Sequence, residues 1–143
     1  AVPTMLRYDI HAENNSLYNT PPVFSIYLTG LVLKRVKAMG GLAAVEEMNR
    51  EKAALLYDAI DQSGGFYRGV AEPGSRSVMN VTWRMASEEL EKAFLKEAGA
   101  NGFVGLKGHR SVGGLRASIY NAVPREAVQA LADFMNDFAR RNG

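Results

Sequence analysis

From Val23 to Leu33 apolar residues fall at almost every position, among them Phe24, Ile26, Tyr27, Leu28, Leu31 and Val32. A helix built from them has no polar face and is expected to pack on several sides. Thr20 followed by Pro21 supplies a start, a capping hydroxyl ahead of a residue suited to the first helical turn. The helix is expected to reach about Ala38, before Gly40 and Gly41. A second helix is predicted from about Leu42 to Gln62, where Leu42, Val45, Met48, Leu55, Leu56, Ala59 and Ile60 recur at helical spacing. From Ser77 to Met85 the period falls to two: Met79, Val81, Trp83 and Met85 alternate with Asn80, Thr82 and Arg84, the mark of a half-buried strand. Ser87 then caps a helix with Glu88 and Glu89 in its first turn and a stripe of Leu90, Phe94, Leu95 and Ala98. Short strands are expected at Phe103 to Leu106 and Leu115 to Tyr120. Pro124 opens a last helix that faces a core with Val128, Leu131, Phe134, Met135 and Phe138.

Four helices packed on one face of a small sheet make an α+β, two-layer sandwich. Residues 1 to 20 read as an irregular lead-in. With 143 residues and 47% apolar content the chain is long enough to bury one core.

The formal charge of +2 is mild and its cations are dispersed, so no nucleic-acid partner is expected despite a pI near 9.0. The chain has no cysteine, which excludes disulfides and thiolate metal sites and fits a cytoplasmic setting. The first 20 residues carry Asp9, His11, Glu13 and two adjacent asparagines and do not read as a signal peptide. The most apolar run is about half of what a bilayer span needs, so no membrane partner is expected.

The stretch "LKGHRSVGGLRASIYN", Leu106 to Asn121, concentrates the chemistry. Gly108, Gly113 and Gly114 let a backbone approach a ligand closely, and Lys107, His109 and Arg110 supply cationic donors beside it. In the strand that follows, Leu115, Ala117 and Ile119 share one face, which leaves Arg116 and Ser118 on the other, towards the loop's opening. An arginine fixed on a strand can meet a carboxylate with its two-pronged guanidinium. The pattern therefore suits a small molecule with two anionic ends, although a basic glycine-rich loop is also compatible with a solvated turn. Asn19 and Thr20 of "YNTPP" offer further donors at a helix start, suited to a phosphate, while capping alone also accounts for Thr20. His11 reads as a surface or structural histidine and Trp83 as core.

"IHAENNSLYNTPP", "RSVMNV" and above all "LKGHRSVGGLRASIYNA" closely resemble the C-terminal part of the phosphoserine aminotransferase family, class V (fold type I) aminotransferases that use pyridoxal phosphate. The resemblance covers essentially the whole chain. It implies that residues 1 to 20 are an interdomain segment with a cofactor-phosphate motif and that 21 to 143 form the C-terminal small domain. It also implies that Arg116 binds the substrate α-carboxylate, that His109 and Arg110 help bind the substrate phosphate, and that Asn19 and Thr20 reach across a homodimer to the cofactor phosphate of the partner subunit. The implied reaction moves an amino group between glutamate and 3-phosphooxypyruvate, giving O-phosphoserine for serine biosynthesis.

One departure is large. The family attaches its cofactor through a Schiff-base lysine in a preceding large domain, and none of the six lysines here matches that motif. Lys107 lies in the loop, and Lys34, Lys37, Lys52, Lys92 and Lys96 read as solvated helix positions. The chain thus reads as a fragment, with no catalytic residue of its own and inactive alone. The rival readings are a stand-alone, non-catalytic anion-binding module and another aminotransferase of the same fold.

Overall fold

A computed structural model describes all 143 residues, which separate into two compact units, Ala1–Gly41 and Leu42–Gly143.

The first unit is more helical at its start than the sequence pattern suggests. A 3₁₀ turn at Thr4–Leu6 leads into α1 (Tyr8–Glu13), where an irregular segment was expected. Local polar contacts account for it: Arg7 and Asp9 form an ion pair, and the His11 ring Nε2 lies 2.9 Å from the Met5 carbonyl, the structural role expected of that histidine. Asn15 and Ser16 end α1 with positive φ (52° and 63°). Helix α2 (Val23–Ala38) follows, and two expectations about it fail. The cap position is Pro22 with no side-chain hydrogen bond, so Thr20 does not cap. No residue of α2 is buried, and Phe24, Ile26, Tyr27 and Val32 are all exposed, because this short unit has no core to receive them.

The second unit holds the core. Helix α3 (Gly41–Asp61) precedes a three-stranded antiparallel sheet of order β1 (Arg68–Gly69), β2 (Asn80–Arg84) and β3 (Leu115–Ser118). Between β2 and β3 runs α4 (Glu88–Ala100), and α5 (Arg125–Asn142) closes the chain. The period-two reading of β2 holds: Val81 and Trp83 are fully buried, whereas Thr82 and Arg84 are not. Strand β3 pairs with β2 so that Trp83 faces Leu115, Val81 faces Ala117 and Thr82 faces Arg116. The buried face meets Leu56 and Ile60 of α3, Phe94 and Ala98 of α4, and Val128, Leu131, Met135 and Phe138 of α5. The architecture is α+β as expected, with α3, α4 and α5 on one face of the sheet and the opposite face left for chemistry.

Ser87 caps α4 by accepting from the Leu90 amide at 3.2 Å. The strand expected at Phe103–Leu106 does not form. The Phe103 amide instead donates to the Ala98 carbonyl (2.9 Å) and closes the end of α4, leaving only a bridge between Lys107 and Leu115. Leu42 is exposed although it falls in the predicted stripe of α3. The stripe that is buried runs Val45, Asn49, Lys52, Leu56 and Ile60, so two polar residues lie inside it.

Candidate functional site

The glycine-rich loop is a closed seven-residue connection. The Gly108 amide donates to the Gly114 carbonyl (2.8 Å) at its base, and the amides of Val112 and Gly113 donate to the His109 carbonyl (3.0 and 2.7 Å) at its tip. Glycine is required at the base: a Cβ on Gly108 would lie 2.0 Å from the Gly113 carbonyl oxygen, far inside contact distance. Gly113 and Gly114 also hold φ near +70°, a region where side chains are strained. His109 Nδ1 sits 2.7 Å from Ser111 Oγ, which orients the ring, and its Nε2 has no protein partner.

Two concavities flank this loop. One, of about 590 Å³, lies between the loop and α4 and is lined by Lys92, Lys107, His109 and Arg110 together with Glu88 and Glu91. The other, of about 370 Å³, opens on the free face of the sheet and is lined by Thr82, His109, Val112 and Arg116. His109 and Arg84 border both. The loop thus brings His109 beside Arg110 on one side and beside Arg116 on the other.

Arg116 is placed by register. Its amide donates to the Leu106 carbonyl (2.8 Å), and its side chain emerges opposite Thr82, between the loop and β2. Its guanidinium has no acceptor in the protein, and its Nε is both buried and unpartnered. A buried donor with no acceptor costs on the order of 1–3 kcal/mol. A carboxylate in the sheet-face pocket would gain charge-assisted hydrogen bonds from the guanidinium. Asn19 and Thr20 stand exposed in the irregular segment of the first unit, with no side-chain hydrogen bond in the protein.

Two residues with roles here are not marked as such by the sequence pattern. Arg84 falls on the outer face of β2 by alternation alone, yet its Nη2 donates to the Val112 carbonyl at the loop tip. Lys52, expected to be solvated, is fully buried, and its Nζ donates to the carbonyls of Ile119 (3.1 Å), Tyr120 (2.9 Å) and Val123 (3.0 Å). Burial pushes the Lys52 ammonium below its ordinary pKa. Asn49, one turn earlier, donates to Asn121 Oδ1 at 2.7 Å. Together they anchor the turn directly after β3. The available signal was their position on the buried stripe of α3. The five remaining lysines are exposed, and Lys52 is enclosed by carbonyls. Asn19 and Thr20, as free donors, do fit a phosphate.

Comparison with known proteins places this geometry. The phosphoserine aminotransferase of Niallia circulans is 64% identical over 99% of this chain, and that of Geobacillus kaustophilus is 65% identical over 98%. In each case the chain spans 39% of the relative's length. The solved phosphoserine aminotransferase from Bacillus circulans subsp. alkalophilus superposes with a TM-score of 0.92 at 64% identity, over 99% of this chain and 39% of that one. A PLP-bound phosphoserine aminotransferase from Trichomonas vaginalis superposes with a TM-score of 0.83 at 39% identity, over 94% and 38%. No helix is long and apolar enough to cross a membrane, and no group of His, Cys, Asp and Glu is arranged to hold a metal ion. The family model for class V aminotransferases matches residues 2–131, most of the sequence, and the chain belongs to the class V aminotransferase family.

Proposed function

We propose that this chain is the C-terminal, substrate-gripping part of a phosphoserine aminotransferase, and that the full-length protein moves an amino group between glutamate and 3-phosphooxypyruvate. The observation that carries the reading is Arg116, a guanidinium fixed on β3 with a buried, unpartnered Nε at the edge of a pocket shared with His109. Arg116 takes the α-carboxylate, common to both amino donors, in a bidentate pair. His109 and Arg110 take the distal anion, which is a phosphate in O-phosphoserine and a carboxylate in glutamate. Two concavities that share His109 then serve both half-reactions together, because the gripped features differ only at the far end.

Asn19 and Thr20 donate hydrogen bonds to the phosphate of pyridoxal phosphate held by the partner subunit of a homodimer. When bound, the cofactor supplies the electron sink for the chemistry at the substrate α-carbon. No lysine of these 143 residues matches the family's Schiff-base motif, and on this reading the chain alone is inactive.

The test uses the full-length protein. Arg116→Lys keeps the charge and loses the fork, so kcat/KM for both O-phosphoserine and glutamate is expected to fall about 10- to 100-fold, roughly 1.4 to 2.7 kcal/mol. Unchanged activity removes Arg116 from the site. The double substitution His109→Ala with Arg110→Ala is expected to weaken O-phosphoserine and glutamate while sparing alanine, which has no distal anion. A uniform loss across all three donors assigns the loop a structural role instead.

A further inference from the structure

We propose that Arg84 is a positioning residue for donor selection: by holding the Val112 carbonyl it keeps the loop 108–114 in the shape that presents His109 and Arg110 to the distal anion. The inference rests on the reading of that loop as the distal-anion site.

Sheet packing does not account for Arg84. In the β1–β2 register it lies directly opposite Arg68, an unfavourable pair of like charges on one face. Its contacts all lead to the loop and to α4. Nη2 donates to the Val112 carbonyl, and this is the one side-chain hydrogen bond that reaches the loop from outside it. The stem of Arg84 lies under the two adjacent glycines. A Cβ on Gly114 would come within 2.8 Å of Arg84 Cδ, and one on Gly113 within 3.3 Å of Nη1. The pair of glycines is therefore the complement of this arginine as well as a source of backbone freedom.

On its other side, Arg84 Nη1 is 3.9 Å from Glu91 Oε1. That carboxylate is itself fixed, because Glu91 is buried on α4 and the same oxygen accepts the Met85 amide at 3.2 Å. A line of contacts thus runs from α4 through Glu91 and Arg84 to the tip of the loop. Without it, the tip is held only by hydrogen bonds within the loop, at the His109 carbonyl and between the His109 ring and Ser111. Arg84 need not touch substrate to matter, since it fixes the residues that do.

Arg84→Met keeps most of the stem and removes the donors. In the 143-residue chain it is expected to raise amide exchange at Val112 and Gly113 roughly tenfold while leaving the Trp83 amide unchanged. In the full-length protein, kcat/KM for O-phosphoserine is expected to fall roughly tenfold and for alanine to stay within about twofold. Because Arg84 acts through the loop, adding Arg84→Met to the His109→Ala, Arg110→Ala background is expected to cost little more. Arg84→Lys retains stem and charge without the fork, and it is expected to give the same split if Arg84→Met does not fold. Unchanged loop exchange, or unchanged donor preference in a protein whose His109 and Arg110 matter, overturns the proposal. So does a full additional loss in the double background, which makes Arg84 a direct ligand. If His109→Ala with Arg110→Ala leaves donor preference intact, the distal-anion reading fails first, and the exchange measurement still reports whether Arg84 holds the loop.

Discussion

Three backbone carbonyls between Ile119 and Val123 converge on the Nζ of Lys52, a fully buried side chain. The arrangement gives three acceptors a common donor at the turn that follows β3, and it costs the desolvation that lowers the lysine's pKa. Lys52→Met fills the space but strands the Ile119 and Val123 carbonyls, while Tyr120 keeps the Val123 amide, so we expect a loss of about 2–4 kcal/mol in urea unfolding. A loss under half a kilocalorie would mean that water replaces the ammonium. The sequence did not betray this residue, because lysine on a helix is ordinarily solvated and only its place on the stripe with Val45, Leu56 and Ile60 argued otherwise. Arg116 was legible for the opposite reason: strict alternation with Leu115 and Ala117 left it no choice of face.

Among the elements, α4 has a start and an interior that respond in opposite directions. Ser87→Ala removes the acceptor of the Leu90 amide and is expected to cost about 1 kcal/mol. Gly99 lies within the last turn of α4, where an added Cβ meets nothing within 4 Å, so Gly99→Ala is expected to stabilise by about 0.5–1 kcal/mol. Thermal unfolding of both variants measures the two signs. Elements whose residues alternate or recur against a core, such as β2, α4 and α5, were readable from pattern alone. Where a segment's hydrogen bonds are decided by neighbours, pattern failed: Phe103 closes α4 instead of extending a strand, and α1 forms around the His11 contact with Met5. Helix α2 was readable as a helix but not in its surroundings, since an all-round apolar sequence calls for partners without naming them.

At the scale of the whole molecule, one buried and one half-buried tyrosine tie stability to alkaline pH. Tyr67 donates to the Met135 carbonyl (2.8 Å), and burial pushes its pKa above the ordinary value of 10.0; Tyr57 is shifted the same way. The stability they contribute is fully present below pH 10 and is lost as pH rises beyond it. Lys52, with its pKa lowered from 10.5, acts in the opposite sense, contributing as pH rises and losing that contribution as pH falls through its folded pKa. Tyr67→Phe is expected to flatten the decline above pH 10, measured as urea midpoints from pH 8 to 11. An unaltered slope would assign the decline to other groups. The sheet joins these scales in another way. Along β3, side chains go alternately to the core and to the pocket, so the register that buries Leu115 and Ala117 also aims Arg116. A single-residue deletion there would send the arginine into the core and a leucine into the pocket at one stroke. Drift by substitution can therefore tune recognition and packing separately, but drift in length cannot, and over evolutionary time selection for a folded chain keeps position 116 facing the pocket whatever residue it carries.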